Sequence, residues 1–382
     1  MRNVVRSLSL ASLSLGVAVV LGLPPEGLAQ NQSSHNSGAV FVMTNDVSQN
    51  QVISYARSTN GSLAEGGKFS TSGRGTGGTT DPLESQGSLV LSQDHSLLFA
   101  ANGGSGEISS FHVQGANLLL ADRVVSGGSE PNAIAQWGSL VYVLNVGGSS
   151  NVVGFRLSPL GKLHQIPAST RFLTTNNSEG ASIAFSPDGH FLLVTERATN
   201  NIDVFPVQAN GTLGSIVVNA SADPGLFALR FAPNGTLIVS ETGPAGASSA
   251  STVSSYAVNA NGTLSPITTD VPALGDANCW NAITPDGKFV YTSNAASANL
   301  SGFSIGATGA LTPLPGTIVG SNPAGSTNLD IAISADGKFL YSLNSGTGVV
   351  GIFGIQPDGT LSSLGDAGGL AVAAGFNGIA AY

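Results

Sequence analysis

Seven polar residues recur along the chain at the ends of apolar runs, and their types decide what chemistry they could do. They are Asn45, Asn102, Asn145, Glu196, Glu241, Asn294 and Asn344. An Asn in such a place often caps a turn by hydrogen bonding to nearby backbone. A Glu is a poor turn residue, and a carboxylate in apolar surroundings can act as a general acid or base. Glu196 and Glu241 are therefore the candidate catalytic residues.

Two arginines lie close to these carboxylates in the sequence. Arg197 follows Glu196 directly, and Arg230 lies in the apolar run before Glu241. A guanidinium can hold an anionic ligand through two parallel hydrogen bonds, or it can pair with a neighbouring carboxylate. Trp280 begins the next apolar run and could either form an apolar wall beside Glu241 or pack between elements. The predicted substrate-binding residues are Arg197, Arg230, Trp280, Gln86, Asn132 and Asn294.

The histidines do not suggest a metal or general-base centre. None of the five lies at the start of an apolar run; they are His35, His95, His112, His164 and His190. We therefore predict no metal site and expect no cofactor. The alternative is Ca²⁺, which would suit a ring of amide and carboxylate oxygens.

An internal repeat positions these residues. A turn that ends in a small residue and Leu recurs about every 50 residues, as NGSL, GANL, LGKL, NGTL, NGTL, TGAL and DGTL. A second motif is a hairpin turn between two apolar runs, as in SPDGHFLLVTE and TPDGKFVYTSN. Each unit therefore holds four short strands, and four-stranded units of this length are typical of β-propeller blades.

The chain begins and ends within a single unit. GAVFVMTN (38–45) has the pattern of a second strand without a first, and GFNGIAAY (375–382) has that of a first strand without a second. Pairing the two would complete the first blade and remove free sheet edges. We predict an all-β, seven-bladed β-propeller over residues 38–382, with four antiparallel strands per blade and the C-terminal strand closing the first.

Blade topology brings the candidate residues to one end of the central channel. The starts of the first strands and the ends of the second strands open on the same face, which we call the mouth. The glycine-rich stretch GRGTGG (73–78) enters the second blade and is not followed by a helix. We interpret it as a flexible loop over the mouth, since a dinucleotide-binding loop would need that helix.

Composition excludes several classes of partner. Only 9% of residues are charged, the net charge is −9, and no Lys/Arg cluster is present. Nucleic acid and anionic membrane surfaces are therefore excluded as partners. We expect a small-molecule ligand at the mouth and a monomer. The single cysteine, Cys279, leaves no internal disulfide.

The N-terminus has the pattern of a secretory signal. Arg2 and Arg6 precede an apolar run shorter than the ~20 residues that a spanning helix needs, and small residues end at Ala29. We predict a signal peptide over 1–29, cleavage near Ala29 and a disordered mature N-terminus at 30–37. The expected location is secreted or periplasmic, without a stable membrane anchor.

The motifs EPNAIA, LVYVLN, SPDGHFLLVTE and CWNAITPDGKFVYTSN resemble the seven-bladed lactonase-type propellers. That family includes 6-phosphogluconolactonase and the carboxy-muconate lactonizing enzyme, and the resemblance extends over nearly all of 38–382. It implies chemistry on a lactone at the channel mouth. It also implies an acidic role for Glu241, which keeps the family's acidic position.

Other positions depart from the family pattern. Glu179 and Ala181 stand where the family has histidines, and Ala295 stands where an Arg follows the strand-ending Asn. Gly225 and Leu226 replace an Arg-His pair. The resemblance therefore implies the framework more strongly than the activity.

Three functions follow from these residues. The first is hydrolysis or formation of a lactone, with Glu241 or Glu196 as acid or base and an Arg holding a carboxylate. The second is a non-catalytic propeller that binds a small molecule, glycan or protein. The third is a Ca²⁺-dependent hydrolase similar to the gluconolactonases. Whether the protein is an enzyme is left open by the sequence.

Overall fold

The computed structural model describes residues 38–382. The predicted signal peptide (1–29) and the predicted disordered segment (30–37) lie outside the described residues. Seven antiparallel sheets form a ring, each with four strands in consecutive order, apart from one split outer strand. The predicted seven-bladed β-propeller is confirmed.

The first three blades include the closing strand, a 3₁₀ turn and a split outer strand. Blade 1 comprises β29 (Ile379–Ala381), β1 (Gly38–Met43), β2 (Gln51–Arg57) and β3 (Leu63–Ser70). Blade 2 comprises β4 (Leu89–Leu91), β5 (Leu97–Asn102), β6 (Glu107–Gln114) and β7 (Asn117–Val125), with a 3₁₀ turn at Gly103–Ser105. Blade 3 comprises β8 (Ser129–Trp137), β9 (Leu140–Gly147), β10 (Asn151–Leu157), β11 (Leu163–Gln165) and β12 (Arg171–Phe172).

The remaining four blades follow the regular plan. Blade 4 comprises β13 (Gly180–Phe185), β14 (Phe191–Glu196), β15 (Asn201–Pro206) and β16 (Val217–Ala220). Blade 5 comprises β17 (Leu226–Phe231), β18 (Leu237–Glu241), β19 (Thr252–Val258) and β20 (Leu264–Pro272). Blade 6 comprises β21 (Asn278–Ile283), β22 (Phe289–Asn294), β23 (Asn299–Ile305) and β24 (Leu311–Ser321). Blade 7 comprises β25 (Asn328–Ile333), β26 (Phe339–Asn344), β27 (Val349–Ile355) and β28 (Leu361–Ala367).

The ring closes as the sequence predicted. In blade 1, β29 pairs antiparallel with β1, placing Ala381 opposite Val40 and Ile379 opposite Val42. Arg57 reinforces the closure, because its Nε donates to the Tyr382 carbonyl at 3.2 Å and its Nη1 lies 3.3 Å from Asp336 Oδ2 of blade 7. β29 thus covers the edge of β1 that would otherwise be free.

The hairpin turns between first and second strands are fixed by a short polar motif. In blade 4, Ser186 Oγ donates to Asp188 Oδ1 at 2.6 Å, and the same oxygen accepts the His190 N–H. Gly189 follows at φ +71°, a conformation that favours glycine. Ser/Thr-x-Asp-Gly therefore specifies the turn, which explains why the motif repeats.

Tyrosines in the second strands tie each of three blades to the next. The Tyr142 hydroxyl donates to the Gly211 carbonyl at 2.9 Å, Tyr291 to Gly359 at 2.7 Å, and Tyr341 to Gly61 at 3.1 Å. Each acceptor lies in the repeated turn before a fourth strand. The two repeated motifs are thus bonded to each other across blade interfaces.

Candidate functional site

The seven strand-ending residues are all buried, with 0% of each exposed. In blade 6, Asn294 Nδ2 donates to Asn299 Oδ1 and Ser301 Oγ, both at 2.7 Å. In blade 2, Asn102 Nδ2 donates to Ser109 Oγ at 2.9 Å. In these blades the repeated Asn therefore fastens the second strand to the third, and Asn294 has no surface to offer a ligand.

Glu241 occupies the same position in blade 5 and accepts four hydrogen bonds. The donors are the hydroxyls of Ser221, Ser254 and Thr252, at 2.7 to 3.1 Å, and the backbone N–H of Asp223 at 3.3 Å. Burial raises the pKa of Glu241, while these hydrogen bonds lower it. Its acceptor sites are filled by the protein itself.

Glu196 is bonded in a similar way but has an acidic neighbour. It accepts hydrogen bonds from the Thr174 N–H at 2.8 Å and from the hydroxyls of Thr174 and Thr199. Asp203, on the third strand of the same blade, is fully buried, and neither of its oxygens meets a donor in the described part of the chain. Burial, with the charge and hydrogen bonding of Glu196, raises the pKa of Asp203 to about 9. The two carboxyls are accommodated because Asp203 keeps its proton.

A segment of the chain itself fills the mouth. We call residues 81–86 the plug. Gln86 spans the channel: its N–H donates to Ala181 O at 2.8 Å, and its Nε2 donates to Asn281 O at 2.8 Å and Asp330 Oδ1 at 2.9 Å. These acceptors lie on the first strands of blades 4, 6 and 7. Gln86 therefore ends the plug and precedes the first strand of blade 2, since β4 begins at Leu89.

Two other predicted binding residues hold the plug. Trp280 Nε1 donates to Ser85 O at 2.9 Å, and its ring meets Phe227 edge-on with centroids 5.1 Å apart. The Asn132 backbone carbonyl accepts the Ser85 hydroxyl at 2.7 Å, and Asn132 Nδ2 donates to Gly180 O at 2.7 Å. Trp280 and Asn132 are thus committed to internal contacts at the mouth.

Arg197 lies at the outer surface of the plug among carboxylates. Its Nη2 pairs with Glu84 and lies 3.2 Å from Glu179 Oε2, and its guanidinium lies 5.8 Å from the Phe227 ring centroid. Burial and the Glu84 charge raise the pKa of Asp81 well above its ordinary range, despite the hydrogen bond from Asn377. Arg197 therefore lies in a charged cluster whose partners are acids of the same chain.

Backbone strain coincides with this cluster. Asp81, Glu84 and Glu179 have φ of 41°, 45° and 52°, a region that non-glycine residues seldom adopt. Positive φ also occurs at the starts of other first strands, for example at Glu130 (51°), the second residue of β8. At Glu130 and Glu179 the strain belongs to the blade plan, whereas at Asp81 and Glu84 it comes with folding the plug into the mouth.

Arg230 lies inside the channel, beyond the plug. It faces a cavity of about 300 Å³ that is lined by the far ends of first strands and opens among the hairpin turns. We call that side the hairpin face. The prediction that Arg230 lies at the mouth with the other residues is therefore corrected. Burial lowers the pKa of Arg230, whereas Asp330 raises it.

The glycine-rich stretch before the plug is bonded rather than loose. The N–H groups of Gly75 and Gly77 donate to the carbonyls of Asp46 and Asn45 at 2.8 and 2.9 Å. A Cβ on Gly75 would lie 2.2 Å from the Asn45 backbone, so only glycine fits. The interpretation of this stretch as a flexible loop is wrong; it clips the plug to blade 1.

Sequence reasoning missed the acidic residues Asp81, Glu84, Asp203 and Asp330. One available signal was the length of the connection over 71–88, because long connections in compact domains are often functional. Among the described residues, no group of three or more His, Cys, Asp or Glu side chains is placed to hold a metal ion. Over 38–382, no helix has the length and hydropathy to cross a membrane.

The fold and site define a seven-bladed propeller whose channel is closed at the mouth by its own chain. The family model described as Lactonase, 7-bladed beta-propeller matches residues 149–223, in blades 3 and 4. That match and the shared architecture support a lactonase-family propeller, as the motifs indicated. No curated protein matches the sequence.

Solved structures share the fold along most of the chain. A Bacteroides uniformis protein, provisionally assigned as a 6-phosphogluconolactonase, is 20% identical with a TM-score of 0.65, covering 91% of this chain and 100% of that one. The periplasmic gluconolactonase of Pseudomonas aeruginosa is 18% identical with a TM-score of 0.64, covering 89% and 99%. A Lactobacillus plantarum protein is 20% identical with a TM-score of 0.67, covering 90% and 98%. At these identities the likeness establishes the fold alone.

Proposed function

We propose that this chain is an exported, lactonase-family propeller that binds a small molecule and does not hydrolyse lactones through Glu196 or Glu241. The observation that carries the proposal is the state of those carboxylates. Both are fully buried, and their oxygens accept hydrogen bonds from neighbouring side chains and backbone. A general base needs hydrogen-bond reach to its substrate, and neither residue has it.

The plug adds a second argument. Gln86 takes up hydrogen-bonding groups on three blades, so a substrate at the mouth would have to displace it. The departures of Glu179, Ala181 and Ala295 from the family pattern agree with loss of chemistry at the mouth. Ligand binding needs none of those residues.

One observation favours a second candidate, lactone hydrolysis on the outer surface of the plug. Glu84 is exposed and strained beside Arg197, and Asp81 has a pKa raised by burial. An acid with a raised pKa beside a carboxylate and a guanidinium is a combination suited to opening a cyclic ester. Here Asp81 would act as acid, Glu84 as base, and Arg197 as anion holder.

The test is a panel of sugar and alkyl lactones incubated with purified mature protein, with and without a chelator. We expect no turnover in either arm. Turnover lost in Glu84→Gln but kept in Glu130→Gln would establish the second candidate, since Glu130 is a strained, exposed Glu at another blade. Turnover that is seen without the chelator and lost with it would support Ca²⁺-dependent hydrolysis. Either kind of turnover would overturn the proposal.

Location and assembly are tested on the same protein. We expect the mature chain to begin near Gln30 in culture fluid or periplasm, and light scattering to give a monomer. An intact Met1 in cytosolic protein would contradict export. A stable dimer would contradict the monomer.

A further inference from the structure

We propose that the channel cavity on the hairpin face binds a small organic monoanion, with its carboxylate held by Arg230. This rests on the proposed binding function and gives that function a site and a ligand class. The sequence predicted binding at the mouth, whereas this site lies at the opposite end of the channel. The plug separates the two.

The shape of the cavity favours a small ligand. Its volume of about 300 Å³ lies at the lower end of ligand sites. Leu89, Leu91, Ile331 and Ile379 line it, and Gln93 and Gln136 stand at the opening. Gln86 crosses the channel at its other end.

Arg230 supplies the charge. Its side chain is only partly exposed, its one hydrogen bond runs from Nη1 to the Leu229 carbonyl at 3.3 Å, and it forms no ion pair within 38–382. A guanidinium has five N–H donors, so most remain for a ligand. A cation in low-dielectric surroundings gains much more from an anion than an exposed one does.

Asp330 is the nearest counter-charge but is already engaged. Its Oδ1 accepts hydrogen bonds from Gln86 Nε2 at 2.9 Å and Ile331 N at 2.9 Å, and its Oδ2 accepts one from Ile379 N at 3.3 Å. Three donors from the plug and two blades therefore satisfy Asp330. Its charge favours the charged form of Arg230, but the two side chains form no ion pair within 38–382, so guanidinium N–H groups remain for a ligand.

The single guanidinium decides the charge of the ligand. Within 38–382, Arg230 is the one Lys or Arg that lines the cavity, so a multiply charged anion such as phosphate would keep uncompensated charge there, at a high desolvation cost. A carboxylate on a small organic body would place its one charge on Arg230 and its body against a lining that mixes Leu, Ile and Ala with Ser, Gln and His. Benzoate is a suitable probe, and benzyl alcohol is its uncharged counterpart.

The experiment is calorimetric titration of the mature protein with benzoate, benzyl alcohol and inorganic phosphate. We expect saturable binding of one benzoate per chain, at least tenfold weaker binding of the other two, and a loss of tenfold or more in Arg230→Gln. Arg230→Lys should retain part of the affinity. Arg123→Gln, on an exposed arginine, is the matched control and should bind like the wild type.

Each other outcome overturns a defined part of the proposal. Failure to bind benzoate, or equal binding by a folded Arg230→Gln protein, removes the channel site. Preference for phosphate removes the ligand class. If a compound of the lactone panel binds equally well to the wild type and to Arg230→Gln, the binding function stands and only the channel site fails. Lactone turnover would instead overturn the proposed function itself.

Discussion

At the scale of single residues, position within the blade decides what a carboxylate can do. The residue that ends each second strand lies beside one particular residue of the third strand. In blades 2, 5 and 6 this residue is a serine that hydrogen bonds to the strand-ending Asn or Glu: Ser109, Ser254 and Ser301. In blade 4 that residue is Asp203, opposite another acid. Blade 4 therefore contains a buried carboxyl pair where three other blades have a hydroxyl.

This pair predicts a pH-dependent stability. The pKa of Asp203 is raised from 3.8 to about 9, so the folded protein keeps a proton that the unfolded chain releases across that range. The stabilisation is complete below pH 3.8 and is lost as pH rises towards 9. We expect Asp203→Ser to raise the melting temperature on the order of 2 °C at pH 7 and to flatten the decline between pH 5 and 9.

Differential scanning calorimetry at several pH values measures this effect. Ser109→Ala in blade 2 is the control, because it removes a hydroxyl from the uncharged Asn102 without touching the acid pair. It should lower stability without changing the slope against pH. An Asp203→Ser protein with an unchanged slope would mean that the pair does not hold the extra proton.

At the scale of elements, the blades could be predicted and the plug could not. Blade strands follow from local signals: alternating apolar runs, Asp-Gly turns and a fixed period. The plug is specified by contacts of Gln86 with residues near 181, 281 and 330, which no local pattern reveals. The same limit affected the candidate site. The sequence correctly placed Glu196 and Glu241 at the ends of second strands, but it did not reveal that their side chains are buried within the blades.

Removing the Gln86 side chain should loosen the channel. In Gln86→Ala, Asn281 O and Asp330 each lose a donor, so we expect a loss of roughly 1–3 kcal/mol in the free energy of unfolding. Denaturant titration measures it. Gln93→Ala, which removes an exposed amide at the opposite end, should change stability by less than about 0.5 kcal/mol. Equal effects would mean that the plug adds nothing to the stability of the ring.

At the scale of the whole molecule, closure depends on the last residues. Deleting 375–382 removes β29 and the carbonyl that Arg57 binds, exposing the edge of β1. We expect the truncated protein to lose its cooperative thermal transition or to oligomerise. Calorimetry measures the thermal transition, and size-exclusion chromatography measures the oligomeric state. Val372→Ser, a substitution of a nearby exposed residue, is the control and should behave like the wild type. An unchanged transition would contradict the closure.

The closure by β29 also sets the order of events during synthesis. Of the described strands, β29 is synthesised last and its partner β1 first. Until β29 is made, the edge of β1 is unpaired and the ring cannot complete its fold. A chain whose ring has not closed is incompletely folded, and a translocation pore accepts polypeptides in that state. The topology would thus keep the protein ready for the export proposed above until the moment it is released.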